Sequence, residues 1–316
     1  RVEVHTIDTV VPYLVKLMWQ LTRGVEGLAE QTRQRHAAYF LASQQQDGGF
    51  AGRDGASDLY YTSFGLRGLA ILGELQDGVA ESAGNFLQSR LAGQTPMVDF
   101  VSLLYGAALI EGATGYDLFS QSQKGWRDRV AQEFERLRRD DGGYAKTSEG
   151  YASSTYHSFL ITLARQVLEL APANCGGLVD FVKSQLRDDG GFVEIRAAQR
   201  SGTNPTAAAI GLLRVVDEHL ESDETEAVAA GAIRFLAEMQ SDEGGLRANS
   251  RIPIADLLST FTGLLTLFDL QAPWEVQLPR AERFVNSLQQ EQGGFCAAAW
   301  DDATDVEYSS YGLASL

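Results

Sequence analysis

The stretch FVNSLQQEQGGF, from Phe284 to Phe295, decides the fold, because its closing Gly-Gly-aromatic string recurs along the chain. Four related strings end in an aromatic residue or a leucine after two glycines, at Phe50, Tyr144, Phe192 and Leu246. The successive intervals between the five strings are 94, 48, 54 and 49 residues, and the first of them fits two units. A period of about fifty residues indicates a repeat architecture.

Each repeat contains two kinds of predicted helix. A half-apolar stretch such as 235–240 precedes most of the glycine pairs, and a stretch that is apolar on nearly all sides, such as 257–268, follows each pair. The first kind suits a partly exposed outer helix, and the second must be buried on most sides. Residue types that cap helices mark six starts of the second kind, at Asp58, Asp99, Ser154, Asn204, Asp256 and Asp305.

A glycine recurs in one register of these buried helices. The residues seven positions after the six starts are Gly65, Gly106, Ile161, Gly211, Gly263 and Gly312. Glycine costs about 1 kcal/mol relative to alanine inside a helix, so its recurrence predicts that neighbouring inner helices approach closely.

These patterns predict an all-α fold, an α/α6 toroid of six helical hairpins with an inner and an outer ring of helices. We expect one domain over 1–316, with an extra helix from Thr9 to Arg23 within the first 29 residues. An open solenoid is the alternative, but such arrays carry polar capping repeats, which the sequence lacks. In a closed ring the inner helices run the same way, so their starts meet at one rim around a central cavity.

Composition limits the partners. The net charge of −16 disfavours nucleic acid and anionic membrane surfaces. No apolar run reaches the roughly 18 residues of a membrane span. The two cysteines, Cys175 and Cys296, have no spacing typical of a disulfide framework or a zinc site, which favours a cytoplasmic protein.

The pattern Phe-x-x-x-x-Gln-x-x-x-Gly-Gly-Phe resembles the repeat of protein prenyltransferase β subunits and the related QW repeat of squalene and hopene cyclases. The segment 305–309, DVEYS, is similar to the Asp-x-Cys-Tyr-Ser element of the prenyltransferases. The resemblance extends from about Gln31 to Leu316. It implies an isoprenoid ligand, and it is compatible with an α-subunit-like partner.

Two sets of residues are candidate metal ligands, one implied by this resemblance and one by a separate acidic motif. The positions of the family's zinc ligands read Asp256, Leu258 and Tyr308 here, and because leucine cannot ligate zinc we do not expect that metal. Asp256 alone is also explained as a helix cap. Asp301, Asp302 and Asp305 form a DDxxD pattern, which predicts magnesium bridged to a diphosphate, with a solvated acidic loop as the alternative.

Arginines near two inner-helix starts are candidates for diphosphate binding. The resemblance implies that basic residues before the fifth inner helix, here Arg247 and Arg251, hold a diphosphate, and Arg196 and Arg200 precede the fourth. Guanidinium forks suit such a group. Surface ion pairs with the many acids are the alternative.

The cyclase side of the resemblance points to Asp305 and Glu307. Class II cyclases protonate an alkene with an acid at the start of an inner helix, which would place Glu307 as the proton donor beside Asp305. Burial can keep such a carboxyl protonated. The alternative is that Asp305 caps the helix and Glu307 is a solvated acid of its first turn.

Aromatic residues near the inner-helix starts predict the cavity wall. They are Tyr60, Tyr61, Phe64, Tyr105, Tyr156, Tyr308 and Tyr311, and His157 is expected near the same opening. Aromatic faces suit isoprenoid chains and carbocations, although each residue could equally fill the core. As a lone histidine, His157 could be structural.

The leading functional hypothesis is a prenyltransferase-like protein that holds an isoprenoid diphosphate or another lipid in a central funnel and transfers the prenyl group without zinc. A non-catalytic lipid-binding or scaffold toroid and a class II terpene cyclase are the alternatives. The complement-type thioester motif CGEQ is absent, and no opposed glycosidase carboxylates can be placed.

Overall fold

The computed structural model describes residues 11–91, 96–120, 122–171, 173–216 and 223–316. Over these residues the chain folds into thirteen α-helices, one 3-10 turn at Pro273–Glu275 and two short strands, β1 (Tyr144–Ala145) and β2 (Ser153–Ser154). The helices are α1 (Tyr13–Glu26), α2 (Glu30–Ser43), α3 (Leu59–Leu72), α4 (Asp77–Ser89), α5 (Met97–Thr114), α6 (Trp126–Arg136), α7 (Thr155–Val167), α8 (Cys175–Ser184), α9 (Thr203–Val216), α10 (Asp223–Glu238), α11 (Leu257–Asp269), α12 (Leu278–Ser287) and α13 (Val306–Ser315).

The odd-numbered helices from α3 to α13 form a closed inner ring. Each packs against the next one along the chain, and α13 returns to pack against α3. The even-numbered helices from α2 to α12 lie outside them as the outer ring. The predicted α/α6 toroid is therefore confirmed, and the open solenoid is excluded because the last repeat contacts the first.

The Gly-Gly-aromatic string builds the same connection in five hairpins. The residue after the glycine pair is fully buried, and its backbone N–H donates to a hydroxyl in the first turn of the following inner helix. The five donor–acceptor pairs are Phe50–Thr62, Tyr144–Ser158, Phe192–Thr206, Leu246–Thr260 and Phe295–Ser309, at 2.9–3.0 Å. The string thus fixes five of the six inner helices to the turns that precede them.

The first glycine of each pair also fixes the next outer helix. Gly293 has φ +94°, and an added Cβ would lie only 2.6 Å from the carbonyl oxygen of Arg35 in α2. The ring therefore also closes on its outer side, where the last turn packs on the first outer helix. His36 of α2 stacks on Phe295 with ring centroids 4.8 Å apart.

Four of the six predicted helix starts are confirmed as caps. The side chains of Asp58, Ser154, Asp256 and Asp305 accept from backbone amides three residues on. The prediction is wrong at Asp99, because α5 begins two residues earlier at Met97 with Pro96 as its N-cap. It is also wrong at Asn204, which lies inside α9 and accepts from Thr262 Oγ1 at 2.7 Å.

The recurring glycines of the inner helices were predicted to let neighbouring inner helices approach closely, but at several positions they serve another purpose. A Cβ at Gly65 would lie 2.4 Å from the ring of Phe50, and one at Gly312 would lie 2.3 Å from the ring of Phe295. These glycines leave space for the residue after the glycine pair of their own hairpin. Only at Gly106 and Gly211 is the nearest group a side chain of the preceding inner helix.

Hydrogen bonds between hairpins bring the inner-helix starts to one end of the ring, which we call the amino-terminal rim. Thr155 N donates to Glu194 O at 2.9 Å, and Leu257 N donates to Ala297 O at 2.8 Å. In each case the start of an inner helix binds the loop that precedes the next inner helix. This confirms the predicted common rim.

The extra helix α1 lies at the opposite end of the ring. The Tyr13 backbone N–H donates to Gln166 Oε1 and its hydroxyl donates to Asp269 Oδ2, both at 3.2 Å. Because these two partners lie in the last turns of α7 and α11, α1 covers the carboxyl ends of the inner helices. The predicted start at Thr9 lies outside the described residues.

One helix among the described residues is long and apolar enough to span a membrane by length and composition, the inner helix α5. It packs between α3 and α7 within the ring.

Candidate functional site

The ring encloses a cavity of about 470 Å³, which is within the range of small-molecule sites. All six inner helices contribute to its wall, and Tyr13, Leu14 and Leu17 of α1 close the end opposite the amino-terminal rim. Most lining side chains are aliphatic or aromatic. The cavity is therefore an apolar chamber, with polar groups confined to a few positions.

Five of the predicted aromatic residues line this cavity, namely Tyr60, Phe64, Tyr105, Tyr156 and Tyr311. Three of these rings pack edge to face, with centroids 5.0 Å apart for Tyr60 and Phe64 and 5.2 Å apart for Phe64 and Tyr311. Burial raises the pKa of Tyr156 to about 12, so this phenol is uncharged at neutral pH.

Three predicted wall residues lie outside the cavity lining. Tyr61 packs over Gly52, and Tyr308 lies beneath the Arg53 guanidinium, whose carbon is 5.8 Å from the ring centroid. His157 is buried with Nδ1 2.9 Å from Ser154 Oγ, while its Nε2 has no hydrogen-bond partner among the described residues. Burial lowers the pKa of His157, so its neutral form is favoured.

Arg67 of α3, which no sequence pattern indicated as a site residue, lies in the cavity wall. Arg67 is only 9% exposed, and its Nε donates to Ser310 Oγ at 2.8 Å. The guanidinium carbon lies 4.6 Å from the Phe64 ring centroid and 5.2 Å from that of Tyr311. A positive charge is thus held among aromatic faces in the middle of an apolar chamber.

Two carboxyl groups lie near the rim end of the cavity. Glu307 accepts from the Tyr60 hydroxyl at 2.6 Å, and burial raises its pKa above the usual value of 4.5. Glu194, which the sequence analysis also missed, lines the cavity and accepts from Ser154 Oγ, and burial raises its pKa as well. Both groups therefore favour the protonated form more than an exposed glutamate does.

Asp305, the other predicted catalytic acid, has structural partners. It caps α13 by accepting from Tyr308 N at 2.8 Å, and it pairs with Arg53 Nε at 2.9 Å. Asp305 therefore serves as a helix cap and as an ion-pair partner of Arg53. Of the two predicted acids, only Glu307 has an environment suited to proton donation.

The predicted metal ligands do not come together as a metal-binding group. Arg53 binds both Asp301 and Asp305, Asp302 is exposed, and Asp256 spends both carboxylate oxygens on Ser259. The Arg53 guanidinium holds the pKa of Asp301 below its usual value. Among the described residues no group of three or more histidine, cysteine, aspartate or glutamate side chains could hold a metal ion.

The four predicted diphosphate-binding arginines differ in what they contact. Arg247 donates to the carbonyls of Glu238 and Met239 at the end of α10, at 2.5 and 3.3 Å. Its guanidinium is therefore bound to the end of an outer helix and does not face the opening of the cavity. Arg196, Arg200 and Arg251 have exposed side chains in the loops before α9 and α11.

The family follows from the sequence profile of the prenyltransferase alpha-alpha toroid domain, which matches residues 15–98 and 206–316. The chain belongs to this family, as its repeat pattern predicted. No curated protein matches the sequence significantly.

Solved structures support the same architecture. Protein geranylgeranyltransferase-I of Candida albicans in complex with GGPP is similar with a TM-score of 0.64 and 14% identity, over 96% of this chain and 91% of that one. A variant of the type II terpene cyclase MstE from Scytonema, in complex with geranylgeranyl dihydroxybenzoate, has a TM-score of 0.60 and 14% identity, over 96% and 97%. An unsaturated glucuronyl hydrolase specific for heparin has a TM-score of 0.61 and 11% identity, over 95% and 96%. Such identities establish the shared fold, and the activity must be argued from the site.

Proposed function

We propose that this protein binds an isoprenoid chain in the central cavity. The observation that carries the proposal is the chamber of about 470 Å³ with Tyr60, Phe64, Tyr105, Tyr156 and Tyr311 in its wall. Such a wall suits a branched, unsaturated hydrocarbon, because it offers dispersion contacts and few hydrogen bonds. A saccharide would leave its hydroxyl groups unpaired there. Two structural relatives hold geranylgeranyl compounds, which is consistent with this ligand class.

Ligand-induced thermal stabilisation tests this proposal. Geranylgeranyl diphosphate and geranylgeraniol at about 100 times their Kd should each raise the melting temperature by about 3–6 °C. Ala207 lines the cavity, so Ala207→Trp should fill it and abolish the shift, whereas Ala42→Trp on the exposed face of α2 should not. If neither ligand shifts the melting temperature of the wild-type protein, the proposal fails.

Of the four predicted diphosphate-binding arginines, Arg196, Arg200 and Arg251 are exposed, whereas Arg247 donates to a carbonyl of the outer ring. We propose that these three arginines hold the diphosphate of the ligand at the rim. Prenyl transfer would then proceed without zinc. The triple Arg→Gln variant should then weaken binding of the diphosphate while geranylgeraniol binds as before. Equal loss for both ligands would contradict a role at the head group.

A second candidate function is proton-initiated cyclisation of the bound chain, and the carboxyl of Glu194 in the cavity wall favours it. A protonated carboxyl would transfer its proton to an alkene carbon, so that a C–H bond forms from the π electrons and a carboxylate remains. The carbocation would be stabilised by the aromatic faces and quenched by loss of a proton or capture of water. Burial raises the pKa of both Glu194 and Glu307, which favours the protonated carboxyl that a proton donor needs.

Product analysis tests this candidate. Wild-type protein incubated with squalene or geranylgeraniol should yield cyclic isomers detectable by gas chromatography with mass spectrometry. The rate should fall as the pH rises through the raised pKa of the donor. Glu194→Gln and Glu307→Gln identify the donor, since the correct substitution should reduce product formation by about 100-fold or more. Unchanged product in both variants would exclude these two donors.

A further inference from the structure

The guanidinium of Arg67 is only partly satisfied by the described protein. Its Nε has one partner, Ser310 Oγ, at 2.8 Å. Its Nη2 is buried and has no hydrogen-bond partner among the described residues. Arginine carries five N–H donors, and a buried donor without an acceptor costs free energy, so this arrangement calls for an acceptor that the described residues do not supply.

Arg67 also has no anionic partner among the residues that the structure describes. None of the ion pairs formed within the described part of the chain includes it. Glu307 is near enough for Arg67 to lower its pKa, but burial outweighs that influence, and the carboxyl accepts from Tyr60 instead. The positive charge is therefore not neutralised by a contact in the cavity wall.

The surrounding aromatic rings do not replace the missing acceptor. Phe64, Tyr311 and Phe261 lie around the guanidinium, with centroids 4.6, 5.2 and 5.9 Å from its carbon. Cation–π contacts stabilise the charge, but they leave the in-plane N–H groups free to donate. Stacking also holds the side chain in one orientation, so the free donors are positioned before a ligand arrives.

We propose that Arg67 binds an oxyanion, the carboxylate or phosphate of an amphipathic ligand, inside the ring cavity, so that the substrate is an isoprenoid acid. The inference rests on the proposed isoprenoid function and names the chemical class of its ligand. Both the carboxylate and the phosphate supply the charged acceptor that Nη2 lacks, and the apolar wall accommodates the chain attached to it.

Binding of three probes with the same chain tests this inference at pH 7, by isothermal titration calorimetry. The probes are geranylgeranoic acid, geranylgeranyl monophosphate and the neutral geranylgeraniol. At least one anionic probe should bind the wild-type protein about 10-fold or more tightly than the alcohol, and whichever does identifies the oxyanion.

Arg67→Met keeps the length of the side chain and removes its charge. It should weaken binding of the preferred anionic probe by about 10- to 100-fold and leave the alcohol within about threefold. The matched control is Arg90→Met, which removes an arginine stacked on Phe86 at 4.9 Å outside the cavity, and it should leave all three affinities unchanged.

Each other outcome overturns the inference in a recognisable way. Equal wild-type affinities for all three probes would exclude an anion-binding role for Arg67 while the isoprenoid proposal stands. An equal loss for all three in Arg67→Met would assign Arg67 to packing alone. If no probe binds the wild-type protein, the isoprenoid proposal and the inference fall together. Should Arg67→Met fail to fold, Arg67→Gln replaces it with the same expected result, and unchanged affinity for the preferred anionic probe in that variant overturns the inference.

Discussion

The carboxyl of Glu307 lies in surroundings that favour its uncharged form. Burial raises its pKa, and the hydrogen bond from Tyr60 and the nearby Arg67 only partly offset that effect. A carboxyl with a pKa raised by folding stabilises the folded state below its ordinary pKa of 4.5, and this contribution is lost as the pH rises through the raised value. Glu307 therefore makes the fold less stable at neutral pH than an uncharged side chain of the same shape would.

Glu307→Gln should accordingly stabilise the protein more at pH 8 than at pH 4. Glutamine retains an oxygen that accepts from Tyr60, so the comparison isolates the charge. Urea unfolding at pH 4, 6 and 8 measures the free energy of unfolding of both proteins. The exposed Glu291 offers a control, since Glu291→Gln should change stability by a similar amount at each pH. A pH-independent effect of Glu307→Gln would show that the carboxyl is not held in its neutral form.

Arg67 and Glu194 show what residue patterns could not reveal. Arg67 is a single charge in a helix that is otherwise apolar on nearly all sides, so no periodicity indicates which face it occupies. Glu194 belongs to an acid-rich chain and lies in a loop, where its burial depends on Ser154, forty residues earlier. Both positions are set by packing between hairpins, which local sequence does not encode.

At the scale of one element, the inner helix depends on space for the residue after the glycine pair. Phe50 is fully buried against Gly65 of α3, where a Cβ would lie 2.4 Å from the ring. The gain of up to about 1 kcal/mol in helix propensity on replacing glycine with alanine is outweighed by overpacking, which typically costs about 1–3 kcal/mol.

Gly65→Ala should therefore reduce the free energy of unfolding by about 1–2 kcal/mol. Gly112→Ala in α5 is the matched control, because nothing lies within 4 Å of the added Cβ, and it should raise stability by up to about 1 kcal/mol. Thermal or urea unfolding monitored by circular dichroism measures both. Stabilisation by Gly65→Ala would mean that Phe50 can move aside.

The elements were predictable where one residue type does the same task in every repeat. The hairpins could be predicted from the glycine pairs and from four capping residues, because turns and caps depend on local chemistry. The capping residues are Asp58, Ser154, Asp256 and Asp305. The start of α5 was not predictable in this way, because its N-cap is Pro96, which makes no side-chain hydrogen bond to the first turn. The cavity wall was predicted only in part, since a helix apolar on all sides gives no sign of its inward face.

At the scale of the whole molecule, Arg53 links the first hairpin to the last. It donates to both oxygens of Asp301 at 2.9 and 2.5 Å and to Asp305 at 2.9 Å. The side chains of the two aspartates are only 7% and 4% exposed, so loss of Arg53 would leave two poorly solvated charges at the point of closure.

Arg53→Ala should lower the free energy of unfolding by about 1–3 kcal/mol, because the guanidinium itself is partly solvated and only its partners are buried. Arg127→Ala removes the exposed ion pair with Glu169 and should cost less than about 1 kcal/mol. Urea unfolding under one set of conditions compares the two variants. Similar losses would show that the closing contact has no more effect than a surface pair.

Because contact between α13 and α3 closes the ring, the cavity can form only after the last hairpin has been synthesised. Each hairpin can form its own turn as it is synthesised, but the faces of α3 and α11 that pack on α13 have no partner until the sixth hairpin is added. A nascent chain of five hairpins is therefore an incomplete ring with exposed apolar surface, and chaperones bind such surface. Binding of any ligand in the chamber must await the final residues of the ring.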